Sequence, residues 1–134
     1  MRVIVCGSRT WGVAPYNAST SEIELAQAQR NTLGVRVAAL SVVAAHVEVI
    51  VGGALGADTY AELEARSLGL DVTVVQPEWQ RYGKRAGMIR NQAMLDRKPD
   101  LVIAFTRDIL SSKGTRHMVT IARKAGIPVE VIGT

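Results

Sequence analysis

The sequence predicts an α/β fold: a doubly wound parallel sheet of about five strands with helices on both faces. Short β-branched apolar runs alternate with longer stretches of helical periodicity, and Gly or Pro stands at the joints. The runs are apolar throughout, which is typical of parallel strands buried on both faces. Aromatic residues make up only 4% of the chain, so Ala, Val, Ile and Leu must build the core.

Each predicted strand is rich in Val and Ile: 2–6, 47–51, 71–75, 101–105 and 129–132. Four helical regions lie between them, over 21 to about 46, 57–68, 83–97 and 115–125. The segment 10–21 has no clear period, and we expect a loop that ends in a helix cap at Thr20 or Ser21. Gly34 is expected to bend or interrupt the first helical region.

Length and composition indicate one domain over residues 1–134, able to bury a core. The length of 134 residues argues against a separate substrate lobe, and a composition of 48% hydrophobic and 21% charged residues argues against intrinsic disorder. Its single cysteine, Cys6, cannot form an internal disulfide or a Cys-rich zinc site, and we expect it to fill the core. No apolar run approaches the ~20 residues of a membrane span, and no signal peptide is visible. We therefore expect a cytoplasmic protein without membrane contact.

The net charge of +4 is unevenly placed. The segment 81–98 contains one acid, Asp96, and six basic residues: Arg81, Lys84, Arg85, Arg90, Arg97 and Lys98. This concentration indicates an anion site or an edge that faces a polyanion, rather than a generally basic surface.

Ligands of an open parallel sheet bind beyond the carboxyl ends of its strands, so the turns that follow the strands are the candidate site. The first turn is Gly7-Ser8-Arg9. Gly7 permits a tight turn with exposed N–H groups, Ser8 supplies a hydroxyl, and Arg9 offers a fork for a phosphate or carboxylate. A plain turn with a solvated arginine is the alternative.

The second turn runs over residues 52–58 and leads straight into a helix. Five of its residues are small: Gly52, Gly53, Ala54, Gly56 and Ala57. They allow another group close to the backbone, and the helix N-terminus favours an anion. The pattern matches neither the dinucleotide fingerprint nor a Walker loop. Asp58 either accepts hydrogen bonds from N–H groups of the first helical turn or binds a ribose hydroxyl.

The loop after the fourth strand, 106–115, leads into the last predicted helix. Ser112, Gly114 and Thr115, together with the N–H groups of the helix start, form a candidate phosphate cradle, and Lys113 adds charge. An ordinary loop capped by Ser112 is the alternative. Three such turns on one edge of a sheet are stronger evidence than one, because the topology makes them converge.

The helical region 83–97 holds most of the basic charge. Several residues recur at three- and four-residue steps and so share a side: Gly83, Gly87, Arg90, Asn91 and Met94. Two glycines in a helix cost about 1 kcal/mol each relative to alanine, which indicates that something approaches closely. Arg9, Lys84 and Arg90 would neutralise a phosphate.

A sugar hydroxyl and a base would need further groups beside the phosphate. Asp58 or Asn91 would bind a sugar hydroxyl. Trp79 either packs on a base or belongs to a core or interface. Signals for catalysis and metal binding are scarce by comparison.

His46 and His117 lack the spacing of metal ligands, and we expect both at the surface or at helix ends. No nucleophile elbow is present. We predict no metal and no cofactor, and the candidates for catalytic roles are Arg90 and Asp58.

Taken in order, these motifs resemble the SLOG superfamily, and most nearly its YspA, or cpYpsA-related, branch of bacteria and phages. The residues that carry the resemblance are 3–9, 51–58, Trp79 through Met94, and Gly114-Thr115. The resemblance spans nearly the whole chain. It implies a Rossmann-like domain that binds nucleotides or nucleotide-derived ligands, as a sensor or as an enzyme.

Two members of that superfamily imply different activities. The stretch from Arg90 to Met94 is similar to a helix motif of cytokinin-activating phosphoribohydrolases, which cleave the N-glycosidic bond of nucleoside monophosphates. Their glutamate is replaced here by Met118, so another acid, such as Asp58, would have to serve. The turns at 7–9 and 53–58 resemble those of the DNA-processing protein of natural transformation. With the basic segment, that likeness implies binding of single-stranded nucleic acid.

We therefore expect a protein that binds or senses a nucleotide-derived phosphorylated small molecule, a nucleotide or an ADP-ribose-like compound. A nucleoside 5′-monophosphate N-glycosidase and a single-stranded nucleic-acid binder are the alternatives. We also expect a homo-oligomer, because one apolar stripe of the first helical region exceeds what a small sheet can cover. That stripe comprises Leu33, Val37, Leu40, Val43 and Val47.

Overall fold

Strands and helices alternate along the chain in the computed structural model, which describes residues 1–133. The strands are β1 (Arg2–Gly7), β2 (Glu48–Val51), β3 (Asp71–Val74), β4 (Leu101–Phe105) and β5 (Val129–Ile132). The helices are α1 (Thr20–Val43), α2 (Ala57–Ser67), α3 (Trp79–Tyr82), α4 (Ala86–Leu95) and α5 (Lys113–Lys124). A 3₁₀ turn (Gly83–Arg85) joins α3 to α4.

The five strands form one parallel sheet in the order β3-β2-β1-β4-β5. The central strand β1 pairs with β2 on one side and with β4 on the other, where Gly7 lies opposite Phe105. From β1 the chain continues to β2 and β3 on one side, and it then crosses to β4 and β5 on the other side. The topological switch point of the sheet therefore lies between β1 and β4. The predicted doubly wound α/β fold is confirmed.

Each face of the sheet carries its own apolar core, because successive strand residues point to opposite faces. Val3 and Val5 of β1 face α1 and α2, together with Val49, Val51, Ile103 and Phe105. Ile4 of the same strand faces α4 and α5, together with Ile50, Val102, Met94 and Met118. The strands are therefore buried on both sides, as their continuous apolar runs predict.

The loop between β1 and α1 is anchored in the first core. Trp11 is 1% exposed, and its indole N–H donates to the carbonyl of Gln29 at 3.0 Å. The backbone N–H of Gly12 donates to the Gln29 side chain at 2.8 Å. A segment without periodicity is thus held in place by one buried aromatic ring.

The ends of two helical regions differ from the sequence predictions. Helix α1 is capped by Ser19, not by Thr20 or Ser21: the Ser19 hydroxyl accepts from Glu22 N, and the Glu22 carboxylate accepts from Ser19 N. The region predicted as one helix over 83–97 is divided. Gly83 has a left-handed φ of 59°, which α-helical backbone does not allow, and α4 begins only at Ala86.

Gly34 does not interrupt α1, which runs unbroken from Thr20 to Val43. The helix continues through it because Gly34 faces α2, where an added Cβ would lie 3.3 Å from the Glu64 carboxylate. The glycine lets the two helices pack closely. No helix within residues 1–133 combines the length and the hydropathy needed to cross a membrane.

The apolar stripe expected to exceed the sheet is largely covered by it. Leu33, Val37, Leu40 and Val47 are buried, and only Val43, at the end of α1, is exposed. A different face of α1 carries uncovered small and apolar residues at alternating three- and four-residue steps. The exposed members are Leu25, Ala28, Val35, Ala39 and Val42, with Val35 73% and Val42 85% exposed, and the half-buried Thr32 lies among them.

Self-association stays a prediction, now assigned to this second face of α1. A stripe with alternating three- and four-residue spacing packs against a helix of the same spacing, and a second copy of α1 supplies one. We expect light scattering to show a dimer or larger assembly that Val35→Lys with Val42→Lys converts to monomer. Thr120→Lys, on an exposed position of α5, is the control. A monomeric wild-type chain contradicts the prediction.

Candidate anion-binding site

The turns after β1, β2 and β4 meet at the carboxyl edge of the sheet, because these three strands are neighbours. Main-chain hydrogen bonds of Ser8 join them. Ser8 N donates to Phe105 O at 2.9 Å, and Ser8 O accepts from Ala57 N at 3.2 Å. The first turn is thereby fixed both to the end of β4 and to the first residue of α2.

Gly7 is required by this close approach. An added Cβ would lie 2.7 Å from the Cβ of Ala57 and would also strike the carbonyl of Phe105. Gly56, with a φ of 77°, lies against the carbonyl groups of Ser8 and Arg9. The small residues of the first two turns thus serve to pack the turns against each other.

Arg90 is the basic residue of the 81–98 segment that turns into the site. It is half-buried on α4, its Nη1 donates to the carbonyl of Gly52, and its Nε donates to Asn91 Oδ1 at 3.0 Å. A Cβ at Gly52 would collide with the guanidinium. Arg90 therefore joins α4, on one face of the sheet, to the turn that precedes α2 on the other.

Asp58 lies beside Arg90 and is 5% exposed. Its Oδ2 accepts from Ala54 N at 3.1 Å, in the turn before the helix, so it does not serve the N–H groups of the first helical turn. Burial raises the pKa of Asp58 from 3.8 to about 6. The Ala54 amide and the positive charges of Arg90 and Arg9 limit that rise in pKa.

Arg90, Asp58 and Cys6 influence one another electrostatically. Burial lowers the pKa of Arg90, while the negative charge of Asp58 raises it, and an arginine in this setting stays a cation. Burial and the nearby Asp58 raise the pKa of the Cys6 thiol well above its usual range. Cys6 packs against the α4/α5 core as a neutral thiol, which is the packing role predicted for it.

Asn91 connects Arg90 to the start of α5. It is 5% exposed, its Oδ1 accepts from Arg90, and its Nδ2 donates to Gly114 O at 3.1 Å. The same Nδ2 lies 3.0 Å from Nδ1 of His117. Both amide hydrogens of Asn91 are engaged within the protein, so Asn91 positions its neighbours, and the second lone pair of its Oδ1 is the part of the amide left for a sugar hydroxyl.

His117 is a site residue that the sequence prediction missed. It was expected at the surface or at a helix end, but it is half-buried in the second turn of α5 and contacts Asn91. Burial lowers its pKa, so the neutral imidazole is favoured. Its position three residues after Gly114, on the same helix start, was the available signal. His46, by contrast, is exposed as expected.

The turn after β4 offers a ligand the N–H groups at the start of α5, whereas the Ser112 hydroxyl is already engaged. Ser112 is the N-cap residue of α5, but its hydroxyl pairs with Thr106 Oγ1 at 2.8 Å and not with the helix N–H groups. Thr115 is buried, and Gly114 and Lys113 are exposed. Helix geometry leaves the N–H groups of the first turn of α5 without intrahelical acceptors.

Two N–H groups expected to hold a phosphate are already engaged. Ala54 N donates to Asp58, and Ala57 N donates to Ser8 O. The Asp58 carboxylate is buried and requires a donor, which the Ala54 amide supplies. Gly53, with a φ of 74°, stays exposed in the turn beside the side chain of Gln76. The segment 52–57 therefore offers fewer free N–H groups to a phosphate than the sequence predicts.

The other candidates near α4 lie at its periphery. Trp79, on α3, is 50% exposed, and its ring would lie 3.7 Å from a Cβ at Gly87. Lys84 is exposed in the 3₁₀ turn, and Gly83 has no atom within 4 Å of an added Cβ. An added Cβ at Gly87 would make only an ordinary contact with Trp79, and Gly83 serves the backbone turn, so within the protein neither glycine is required by a close approach.

The basic segment does not form one patch. Helix α4 leads from the carboxyl edge to the start of β4, so Arg97 and Lys98 lie at the opposite edge from Lys84. There Arg2 Nη1 donates to the carbonyl of Arg97. The positive charge at the carboxyl edge comes from Arg90, Arg9 and the exposed residues before α4.

The position of the glutamate in the phosphoribohydrolase motif is occupied by a core residue. Met118 is 1% exposed and packs with Ile4 and Met94. No carboxylate faces the site from that position. Within residues 1–133, no group of three His, Cys, Asp or Glu side chains is placed to hold a metal ion.

Comparison with known proteins gives one close relative in sequence. No protein-family model matches the chain. It is 34% identical to Gene 61 protein of Mycobacterium phage D29 over 135 residues, which covers 96% of this chain and 93% of the phage protein. The chain belongs to the family of Gene 61 protein. The relationship covers both turns and helices of the site, since it extends over nearly the full length of both proteins.

A solved structure supports the fold independently. The X-ray structure of TM1055, a structural genomics target, superimposes with a TM-score of 0.63 over 96% of this chain and 71% of that one. The two sequences are 22% identical, so the likeness shows the α/β fold alone.

The raised pKa of Asp58 predicts a pH dependence of stability. Between its ordinary pKa of 3.8 and the folded value of about 6, the folded state holds the proton more tightly than the unfolded state. The stabilisation is therefore present below pH 3.8 and is lost as the pH rises through 6. Urea titrations should show that the free energy of unfolding of the wild-type protein falls by an amount on the order of 2–3 kcal/mol between these two pH values. In Asp58→Asn this contribution to the fall should be absent. Parallel pH profiles for both proteins would contradict it.

Proposed function

We propose that this protein binds a nucleotide-derived phosphorylated small molecule at the carboxyl edge of its sheet, as a member of the SLOG superfamily close to its YspA branch. The observation that carries the proposal is the placement of Arg90. It is half-buried at that edge, bonded to Gly52, and connected through Asn91 to the start of α5.

Arg90 retains capacity for an anion. Its two hydrogen bonds go to neutral acceptors, a carbonyl and an amide oxygen, and a guanidinium has five N–H donors. Among residues 1–133, the ion pairs within 4.0 Å do not include Arg90. A phosphate ester would accept from the remaining donors in the bidentate geometry that arginine favours.

The surroundings of Arg90 favour the same charge. The first turn of α5 presents N–H groups and the positive end of a 12-residue helix. Arg9 is exposed close enough to affect the pKa of both Asp58 and Arg90. A phosphate at this edge would therefore meet three sources of positive potential, with Asp58 beside it to accept a ribose hydroxyl.

The ordered motifs add to this argument. The glycine turns and the Arg90 helix occur in the order that the SLOG resemblance requires, and they meet at one edge. A phage relative agrees with the bacterial and phage range of the YspA branch. A nucleotide or an ADP-ribose-like compound is the ligand class that this resemblance implies.

Isothermal titration with AMP, ADP and ADP-ribose tests the proposal. We expect at least one to bind wild-type protein, and Arg90→Ala to weaken that binding by about tenfold or more, since a charged hydrogen bond contributes roughly 1.5–3 kcal/mol. Arg97→Ala is the matched control: it removes the same charge from the same segment at the opposite edge and should leave affinity unchanged. Folding of each variant is checked by thermal melting.

Two results would end this proposal. One is the absence of binding by every compound of the panel at millimolar concentration. The other is an equal loss of affinity in folded Arg90→Ala and Arg97→Ala, because nonspecific charge attraction would then explain the binding.

A nucleoside 5′-monophosphate N-glycosidase is a second candidate, and Asp58 is the observation that favours it. A buried carboxyl with a pKa of about 6 beside a cation is tuned for proton transfer near neutral pH. Chromatography should then detect free base released from nucleoside monophosphates by wild-type protein but not by Asp58→Asn. Undiminished release by Asp58→Asn, or no release by concentrated wild-type protein, contradicts this activity.

Binding of single-stranded nucleic acid has less support from the geometry. That alternative depends on the basic segment 81–98, and the fold divides its members between two edges of the sheet. A continuous strand would need a continuous basic track with stacking platforms. The small-molecule proposal needs only the groups gathered around Arg90.

A further inference from the structure

We propose that a pocket between α4 and α5 receives the nucleobase of the ligand, and that His117 donates a hydrogen bond to it. The pocket is lined by Arg85, Met88, Ile89, Gln92 and His117 and has a volume of about 240 Å³. We call it the α4–α5 pocket. The inference rests on the proposed function, because the base would enter together with the phosphorylated sugar.

The hydrogen-bond network fixes which His117 nitrogen carries the proton. Arg90 Nε is only a donor, so the Asn91 atom that faces it must be the amide oxygen. The Asn91 amide nitrogen then faces Gly114 O, which only accepts, and His117 Nδ1. Because Asn91 donates, Nδ1 of His117 is the acceptor. The neutral imidazole therefore carries its hydrogen on Nε2.

Gln92 has an orientation fixed in the same way. Its Nε2 donates to Asp96 Oδ1 at 2.9 Å, which leaves the amide oxygen as its accepting group. The α4–α5 pocket thus offers the donor His117 Nε2–H, together with the acceptor Oε1 and the second amide hydrogen of Gln92. The hydrogen-bonding edge of a nucleobase presents acceptors and donors that can pair with such groups.

The rest of the lining fits a flat ring. Met88 is 54% exposed and Ile89 is partly exposed, so they provide an uncovered apolar wall. Arg85 adds a planar guanidinium that can stack on an aromatic ring. Sites for drug-sized ligands occupy roughly 300–1,000 Å³, so the smaller α4–α5 pocket suits a single ring system rather than a whole nucleotide.

The pocket is close to the phosphate position but separate from it. Only Asn91 stands between the Arg90 guanidinium and the His117 imidazole, with one contact of 3.0 Å on each side. A phosphate on Arg90 and a base beside His117 would be joined by a sugar that spans Asn91. The network would then align both ends of one ligand.

This assignment differs from the stacking role considered for Trp79. Met88, Ile89 and Gln92 share one side of α4, and Arg85 precedes them in the 3₁₀ turn. Gly87, against which Trp79 lies, recurs with Arg90 at a three-residue step on another side. A base in the α4–α5 pocket would therefore not touch Trp79.

Titration with four nucleoside monophosphates (AMP, GMP, CMP and UMP) and with ribose 5-phosphate tests the inference. We expect wild-type protein to bind at least one nucleotide about tenfold more tightly than ribose 5-phosphate. His117→Phe and Gln92→Met should each weaken that nucleotide about three- to tenfold, as expected for one lost hydrogen bond, and Gln92→Met should leave ribose 5-phosphate unchanged. Gln92→Met is included because it leaves the Asn91 network intact. Trp79→Ala should change neither affinity.

The outcomes separate the two proposals. If wild-type protein binds neither nucleotides nor ribose 5-phosphate, the proposed function fails and this inference fails with it. If wild-type protein binds both but Gln92→Met and His117→Phe leave the preference for the base unchanged, only the α4–α5 pocket is wrong. Loss of the base preference in Trp79→Ala would also overturn it and assign the base to α3.

Discussion

The hydrogen bond from Arg90 to the carbonyl of Gly52 is the interaction on which the candidate site depends. A half-buried guanidinium has lost part of its hydration, and three groups compensate for that loss here. Gly52 supplies a carbonyl and the space that a Cβ would fill, Asn91 supplies an amide oxygen, and Asp58 supplies negative charge. The contact also joins α4 to the turn on the other side of the sheet edge.

The sheet topology explains why these groups meet. Because β1 lies between β2 and β4, the turn after β2 and the start of α5 lie on either side of Ser8. Helix α4 reaches the same edge from the opposite face, with Arg90 and Asn91 directed toward it. The site therefore assembles from segments as far apart in the 134-residue sequence as Gly7 and His117, and it exists only once the chain has folded.

The strands and the sheet class could be predicted because they depend on local apolar patterns. Runs of Val and Ile place the strands within a residue or two of their observed ends. The network of Arg90, Asn91 and His117 could not be predicted in the same way. It depends on contacts between α4 and α5, and the apolar pattern of a helix does not indicate which polar side chains of another helix it meets. The hydrogen bonds of the Ala54 and Ala57 amides were not predicted for the same reason, because only the folded structure brings them to their acceptors on Asp58 and Ser8.

The missed helix cap and the divided helix have a different cause. Ser19, Thr20 and Ser21 are all acceptable caps by residue type, and only the reciprocal bond with Glu22 selects Ser19. At Gly83, residue type permitted either a helix interior or a left-handed turn, and the packing of Trp79 on Gly87 accompanies the turn. In each case the residue types allowed more than one local structure, and contacts with neighbouring residues determine which one forms.

A crystal structure of the protein grown with millimolar AMP is the decisive test of the site. We expect phosphate oxygens within hydrogen-bonding distance of both the Arg90 guanidinium and the N–H groups of the first turn of α5. A well-ordered nucleotide bound elsewhere, with Arg90 still enclosed by Gly52 and Asn91 and remote from the phosphate, would contradict it.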